Sequence, residues 1–215
     1  MAETKLILGN KTYSSWSLRG WLLAKQAGIA FTEVVIPLRR PETRAEILRY
    51  GPAGKVPTLV TDGEAVWDSL AIAETLAERF PDKGLWPADA RARQVARSVT
   101  AEMHSGFPAL RSALPMDLSK HYPGHEVSAE VQADIDRIQA IWRDCRQAFG
   151  AGGDFLFGGF SIADAFYAPV VTRFRTYDVT LDEVCEAYCA AVTGHAWMKD
   201  WAAAAAEEPW VIDFG

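Results

Sequence analysis

The chain has 215 residues, of which 49% are hydrophobic and 23% are charged, so its composition is that of a folded globular protein and excludes a disordered one. The formal net charge of −6 argues against nucleic acid and against anionic membrane surfaces as the main partners. No apolar run reaches the roughly 18 residues that a membrane-spanning helix needs, and the first residues show no export signal, so a cytoplasmic protein is expected.

Up to about residue 80, short β-branched runs alternate with helical stretches. In chain order the patterns predict a strand over 5–8, a helix over 16–27, a strand over 31–36, a short helix over 41–49, strands over 58–61 and 65–67, and a helix over 69–79. The Asp62-Gly63 pair between the last two strands is a hairpin signal. A strand–helix–strand crossover implies parallel pairing, and the hairpin adds antiparallel strands at one edge.

Turn residues separate this half from a second one. The stretch 80–87 contains two prolines and a glycine, which predicts a domain boundary. Every later segment has helical periodicity, namely 88–113, 128–149, 162–177, 181–191 and 196–206. We therefore predict an α/β domain over residues 1–81, a linker over 82–90 and an all-helical domain over 91–215.

Two junctions between predicted strands and helices carry residues suited to ligand binding. Ser14 and Ser15 lie at the N-terminus of the first helix, where unpaired N–H groups favour an anion, although an ordinary capping serine would look the same. Pro57 begins the third strand, either as a trans proline or in a cis turn. A cis turn would leave the backbone of Val56 free to pair with a ligand's peptide group.

A third junction, Asp68-Ser69, precedes the last helix of the first half. Ser69 is a natural helix N-cap, and Asp68 places a carboxylate where a ligand ammonium group could meet it, although capping alone also explains the pair. The three junctions together describe a pocket for a small zwitterion with an acidic thiol. An excess of basic residues between Arg39 and Lys55 suggests that this ligand is anionic.

Four segments form an ordered pattern along the chain. They are Ser-Ser-Trp-Ser-Leu-Arg at 14–19, Gly-Pro-Ala-Gly-Lys-Val-Pro-Thr-Leu at 51–59, Asp-Ser-Leu-Ala-Ile at 68–72 and Ser-Ile-Ala-Asp at 161–164. The first resembles the serine motif of zeta-class glutathione transferases, with tryptophan in place of the usual cysteine. The second and third are similar to the family's asparagine-proline-x-glycine-x-valine-proline and acidic-serine-x-alanine-isoleucine segments, and the fourth to its helix capping box. The chain thus resembles a serine-type, zeta/theta-like bacterial glutathione transferase.

This resemblance implies a fold and a set of site residues. The fold is a thioredoxin-like βαβαββα domain that binds glutathione, followed by a helical bundle. The implied roles are the catalytic hydroxyl for Ser14 or its close rival Ser15, the backbone contact to the cysteinyl part for Val56 beside a cis Pro57, the γ-glutamyl contacts for Asp68 and Ser69, and the glycine-carboxylate contacts for Arg40 and Lys55. Glutathione is then a co-substrate and a homodimer is expected. No metal site is expected, because Pro123-Gly124 breaks any helix between His121 and His125.

The electrophile is expected to bind in the helical domain. Met103, His104, Phe107 and Arg111 recur at helical spacing on one stripe, which Phe166, Tyr167, Arg173 and Phe174 could face. An aromatic stripe of this kind is also typical of an ordinary core. Arg111 and Arg173 are harder to explain as core residues, and they suggest an acidic co-substrate.

Three functions remain open at this point. The first is conjugation of glutathione to a small electrophile, which is a detoxification reaction. The second is a glutathione-dependent isomerase of the maleylacetoacetate or maleylpyruvate type, and the third is a non-catalytic binding or regulatory module. The sparse, odd-numbered cysteines, Cys145, Cys185 and Cys189, favour a reducing compartment.

Overall fold

The computed structural model describes residues 3–213. The first half contains β1 (Thr4–Leu8), α1 (Ser15–Ala27), β2 (Thr32–Val35), α2 (Thr43–Ile47), β3 (Thr58–Thr61), β4 (Glu64–Trp67) and α3 (Ser69–Arg79). After a 3₁₀ turn at Pro81–Lys83 come α4 (Ala90–Ser105), α5 (Pro108–Ala113), α6 (Ala129–Phe149), α7 (Ile162–Thr176), α8 (Glu183–Gly194) and α9 (Ala196–Ala206). The predicted fold class, with its βαβαββα order and helical second half, is confirmed.

The four strands form one mixed sheet in the order β2-β1-β3-β4. β1 pairs with β2 in parallel, and β3 pairs with both β1 and β4 in antiparallel fashion, as the crossover and the hairpin predicted. The register places Leu8 opposite Val35, Ile7 opposite Thr58, and Thr58 opposite Trp67. The ends of β1, β2 and β4 and the start of β3 therefore lie at the same end of the sheet. We call this end, where the strands meet their connecting loops, the sheet edge.

The central strand β1 is covered on both faces, because successive strand side chains point to opposite sides. Leu6 lies on the side of α1, since a Cβ built on Gly20 of α1 would approach Leu6 Cδ1 to 4.0 Å. Ile7 lies on the other side, in a cluster with Ile36 and with Ile47 of α2. This packing on both faces of β1 fixes α1 and its N-terminus against the sheet.

The helical half is organised around α7, whose residues are buried along almost its whole length. Trp142 of α6 packs its ring against Tyr167, Phe174 and Tyr188. The predicted capping box is present, because Ser161 and Asp164 exchange side-chain and backbone hydrogen bonds at the start of α7. None of the described helices has the length and apolar character that crossing a membrane requires.

The described residues group into two compact units, 3–85 with 200–213, and 86–199. The sequence-based division at 1–81, 82–90 and 91–215 differs mainly beyond residue 200, where the chain joins the first unit. Glu208 accepts the Lys11 N–H at 2.8 Å, and the Trp201 indole N–H donates to the Lys11 carbonyl at 3.0 Å. These bonds tie the late segment to the loop between β1 and α1.

The single helix predicted over 88–113 is wrong, because the chain breaks it into α4 and α5. Gly106 is extended, with φ −100° and ψ −170°, and Phe107 adopts the left-handed region with φ 60°. Pro108 disfavours the helical conformation for the residue before it and then starts α5 at its first position.

Candidate active site

The predicted junctions meet at the one edge of the sheet described above. The loop after β1 leads to Ser14, the chain before β3 carries Val56 and Pro57, and the chain after β4 carries Asp68 and Ser69. The strand register is what brings these segments together, since Ser14 and Ser69 are 55 residues apart in sequence. Three segments with backbone and side-chain polar groups at one edge can bind a small peptide.

Ser14 is the N-cap of α1, and its hydroxyl belongs to a short hydrogen-bonded chain. Its Oγ accepts the Ser17 N–H at 3.3 Å and its hydroxyl donates to Ser17 Oγ at 2.8 Å. Ser17 Oγ in turn accepts the Gly9 N–H at 2.8 Å. Ser14 is only 6% exposed, and the first turn of α1 contains no acidic residue. The helix end therefore favours an anion beside Ser14.

Ser15 differs from Ser14 in its place on the helix. It is the first residue of α1 and is buried, and its carbonyl accepts from Arg19 Nη1 at 3.2 Å. The Arg19 guanidinium lies 4.6 Å from the centroid of the Trp16 ring. The tryptophan that departs from the family motif is thus a stacking partner for this buried arginine.

The Val56–Pro57 peptide bond is cis, as the family resemblance implied. The turn lies directly against α1, because a Cβ on Gly20 would come within 2.8 Å of the Pro57 ring. No larger residue fits at Gly20 without moving this turn. Thr58 holds the same turn from the other side, since its hydroxyl donates to the Lys55 carbonyl at 3.0 Å.

Asp68, rather than Ser69, is the N-cap of α3, which corrects the capping role predicted for Ser69. Asp68 Oδ1 accepts the Leu70 N–H at 2.8 Å, so the carboxylate satisfies one of the N–H groups at the start of the helix. Ser69 Oγ is buried and has no hydrogen-bond partner among residues 3–213. A buried hydroxyl in this state fits a ligand carboxylate.

The two candidate cations at this edge are both exposed. Arg40 follows β2, where its backbone N–H donates to Thr43 Oγ1 at 3.0 Å, and Lys55 lies two residues before Pro57. Their exposure allows their side chains to move towards an anionic ligand.

The other predicted residues belong to the helical unit, at the end of α4 and the start of α5. The His104 ring packs 5.9 Å from that of Phe166, and Phe107 is buried. Arg111 donates through Nε to the Gly106 carbonyl at 2.8 Å and through Nη2 to the carbonyls of Met103 and His104. These bonds cap the end of α4, and burial lowers the pKa of Arg111.

Arg173 is a second buried arginine with a structural position. Its Nε donates to the Leu114 carbonyl at 2.8 Å and its Nη1 to the Pro169 carbonyl at 3.0 Å. Burial lowers its pKa to about 10. Carbonyl oxygens, rather than a co-substrate, therefore account for an arginine in this core.

Sequence reasoning overlooked residues that hold the loop before α1. Ser17 lies three positions after Ser14, which is the ordinary spacing of a capping pair and was an available signal. Lys11 pairs through Nζ with Glu33 Oε2 at 2.6 Å and binds Glu208 through its N–H. Nothing in the local sequence links positions 11 and 208, because that contact depends on the tertiary fold.

Comparison with known proteins assigns both halves of the chain to the same family. Residues 13–79 match the family described as "Glutathione S-transferase, N-terminal domain", and residues 128–206 match "Glutathione S-transferase, C-terminal domain". A maleylacetoacetate isomerase of Rhizobium meliloti (strain 1021) is 33% identical over 186 residues, covering 78% of this chain and 81% of that protein.

Two solved structures share the fold. A maleyl pyruvate isomerase, described as a bacterial glutathione S-transferase in the zeta class, has a TM-score of 0.71 at 22% identity, with 95% of this chain and 98% of that chain covered. A glutathione transferase homologue from Burkholderia with bound glutathione has a TM-score of 0.70 at 19% identity, with the same coverages of 95% and 98%. The chain belongs to the glutathione S-transferase family and is a glutathione transferase enzyme.

Proposed function

We propose that this enzyme binds glutathione at the sheet edge and activates its thiol with the Ser14 hydroxyl, for attack on a small electrophile. The observation that carries the proposal is a buried hydroxyl at the N-terminus of α1, where the first helical turn has no carboxylate. The helix dipole at this end stabilises a thiolate more than a thiol.

The magnitudes are sufficient without a general base. A free thiol has a pKa near 8.5, and lowering it by two units requires roughly 2.7 kcal/mol in favour of the thiolate. A hydroxyl that donates to a charged acceptor contributes about 1.5–3 kcal/mol, and a helix N-terminus adds about 0.3–1 kcal/mol. One serine at this helix end therefore supplies the required preference.

The remaining groups at the edge would hold the peptide. The backbone of Val56, before the cis proline, is proposed to pair with the cysteinyl part of glutathione. The Ser69 hydroxyl would donate to the γ-glutamyl carboxylate and Asp68 would face the ammonium group. Arg40 and Lys55 are proposed to reach the glycine carboxylate. The buried, unpartnered Ser69 Oγ supports this arrangement most directly.

The electrophile is proposed to bind beside His104 and Phe107 in the helical unit. Arg111 supports that turn, because its guanidinium donates to backbone carbonyls at the end of α4. The buried Arg173 is a poor candidate for binding an acidic electrophile, because its Nε and Nη1 already donate to backbone carbonyls.

A second candidate is glutathione-dependent isomerisation of the maleylacetoacetate or maleylpyruvate type. The 33% identical relative carries the name maleylacetoacetate isomerase, and this match spans most of both chains. Both reactions begin with the same thiolate, so the Ser14 proposal is common to them. Assays with an aromatic halide electrophile and with maleylacetoacetate, on one preparation, distinguish the two. The non-catalytic alternative has less support, because several relatives carry the names of isomerases or transferases.

The test is the Ser14→Ala variant. We expect it to raise the pKa of bound glutathione and to reduce the rate by roughly 10- to 150-fold near neutral pH, because a charge-assisted hydrogen bond is lost. The affinity for glutathione should change little, since the peptide contacts remain. The pKa is measured by titrating the ultraviolet absorbance of the bound thiolate, and the affinity by calorimetry. Ser15→Ala is the matched control, and a shift in that variant alone would assign the role to Ser15.

Assembly and location complete the proposal. The exposed Trp67, together with Leu70 near the same edge, offers apolar surface for a homodimer, which light scattering at micromolar concentration tests. Among residues 3–213 the three cysteines, Cys145, Cys185 and Cys189, are free thiols, which supports the proposed location in a reducing cytoplasm. We propose a detoxification role there on the basis of the conjugation reaction.

A further inference from the structure

The Ser14 hydroxyl has a neighbour that can control its direction. Ser17 is fully buried and presents two groups to Ser14 Oγ, its backbone N–H at 3.3 Å and its hydroxyl oxygen at 2.8 Å. The N–H bond alone would satisfy the requirement of a helix cap. The hydroxyl contact goes beyond capping, because it joins two groups that can each donate or accept.

The two hydroxyls together have only two protons to share. A hydroxyl has one proton and two lone pairs, so while Ser14 donates to Ser17 Oγ it has nothing to donate to a sulfur atom. When Ser14 donates to a thiolate, its contact with Ser17 remains a hydrogen bond only if Ser17 becomes the donor. The Gly9 N–H occupies a lone pair of Ser17 Oγ at 2.8 Å and leaves the Ser17 proton free for that role.

We infer that Ser17 is a positioning residue that makes Ser14 the donor to the glutathione thiolate. The donors then run in one direction, from the Gly9 N–H to Ser17, from Ser17 to Ser14, and from Ser14 to sulfur. Hydrogen bonds in such a chain polarise one another, so each strengthens the next. This inference rests on the proposed role of Ser14, and Ser17 acts only through that residue.

The experiment is a double-mutant cycle on the full chain with the variants Ser14→Ala, Ser17→Ala and both together. Ser17→Ala keeps the backbone N–H that caps the helix and removes only the hydroxyl. We expect it to raise the pKa of bound glutathione and to lower kcat/KM by roughly 2- to 10-fold near neutral pH, the value of one neutral hydrogen bond. In the Ser14→Ala background the same substitution should have no further effect on the pKa, because the group through which it acts is absent.

The control is Thr12→Val, which removes the loop's hydrogen bond to the Ala205 carbonyl without touching the hydroxyl chain. It should leave the pKa of bound glutathione unchanged even if it loosens the loop. Ser17→Thr retains the hydroxyl and should also keep the wild-type pKa. If Ser17→Ala does not fold, Ser17→Cys fills the space with a weaker donor and should raise the pKa in the same direction.

The outcomes separate this inference from the function on which it rests. A shift in Ser14→Ala without one in folded Ser17→Ala overturns the role of Ser17 and leaves that of Ser14 intact. Equal shifts from Ser17→Ala in both backgrounds also overturn it, since they would indicate a general structural effect. No shift in Ser14→Ala defeats the proposed function itself, and the inference with it.

Discussion

Asp68 and Ser69 are adjacent at the start of α3, but their side chains differ in burial and in hydrogen bonding. The Asp68 carboxylate is exposed and caps the helix through the Leu70 N–H, whereas the Ser69 hydroxyl is buried without a partner among the described residues. An unsatisfied buried hydroxyl costs about 1–3 kcal/mol. If Ser69 binds a ligand carboxylate as proposed, that contact would remove this cost and would add to the affinity of the site.

Asp68→Asn isolates the charge of Asp68 from its capping role, because the amide oxygen still accepts the Leu70 N–H. We expect glutathione affinity to fall about 1.4- to fivefold, the range for an exposed ion pair worth about 0.2–1 kcal/mol. Calorimetry at low ionic strength measures the effect, and added salt should reduce the difference from wild type. Asp68→Ala should cost additional protein stability, of about 0.5–2 kcal/mol, because the cap is also lost. An unchanged dissociation constant in Asp68→Asn would remove Asp68 from the site.

At the scale of elements, the loop between β1 and α1 depends on a carboxylate from the end of the described chain. Burial raises the pKa of Glu208, although the N–H groups of Lys11 and Thr12 oppose this by stabilising the carboxylate. The Lys11 ammonium lies 5.3 Å from the centroid of the Trp201 ring and 2.6 Å from Glu33 Oε2. The loop that leads to Ser14 is therefore held at several points by groups from other elements.

Glu208→Ala should lower the free energy of unfolding by about 1–3 kcal/mol, because it leaves backbone N–H groups of the loop without an acceptor. Glu208→Gln keeps one oxygen acceptor and should lose less. Urea unfolding at neutral pH measures both. The neighbouring Glu207→Ala, at an exposed position, is the control and should stay within about 0.5 kcal/mol of wild type. Equal losses of stability in Glu207→Ala and Glu208→Ala would contradict the role of Glu208 in holding the loop.

The capping box of α7 predicts a pH dependence of stability. Asp164 is fully buried, and burial raises its pKa to about 6, against the hydrogen bonds that Leu156 and Ser161 donate to it. The folded state therefore holds this proton more tightly than the unfolded chain does. Its contribution to stability is greatest below about pH 4 and is lost as the pH rises through about 6.

The free energies of unfolding of Asp164→Asn and of wild type, measured across this pH range, test the sign of this pH dependence. The variant loses a fixed amount of stability at every pH, because an amide cannot accept all of the same bonds. The difference between the two free energies should shift by roughly 2–3 kcal/mol from pH 4 to 6.5, to the disadvantage of wild type, since one pKa unit corresponds to about 1.4 kcal/mol. A constant difference would mean that Asp164 is already ionised at pH 4.

The elements of the first unit could be predicted because each carries its own periodicity and turn signal. The Asp62-Gly63 turn, the Gly28 helix end and the proline before β3 are all local features. The break at Gly106 and Phe107 was missed because the apolar spacing continues across it, and only Pro108 marks the change. Sequence also could not choose between Ser14 and Ser15, because which residue caps α1 is a matter of backbone geometry.

For the whole molecule, the three cysteines predict chemical inertness in the native state. Burial raises the pKa of Cys145, Cys185 and Cys189 to about 12 in each case. Only the thiolate is a nucleophile, so the folded protein should react negligibly with Ellman's reagent at pH 7.5. Denaturant should release three thiol equivalents per chain. Rapid labelling without denaturant would contradict the burial of these residues.

The bonds from residues 201 and 208 to Lys11 also determine the order in which the two units can be completed during synthesis. The strands and helices of the first unit leave the ribosome first, but the Trp201 indole and the Glu208 carboxylate follow only after more than 110 further residues of the helical unit. Until translation has passed residue 208, the loop before Ser14 lacks its acceptor and its aromatic cover. The first unit to emerge is thus the last to be completed, because its final bonds form only after the helical unit has been synthesised.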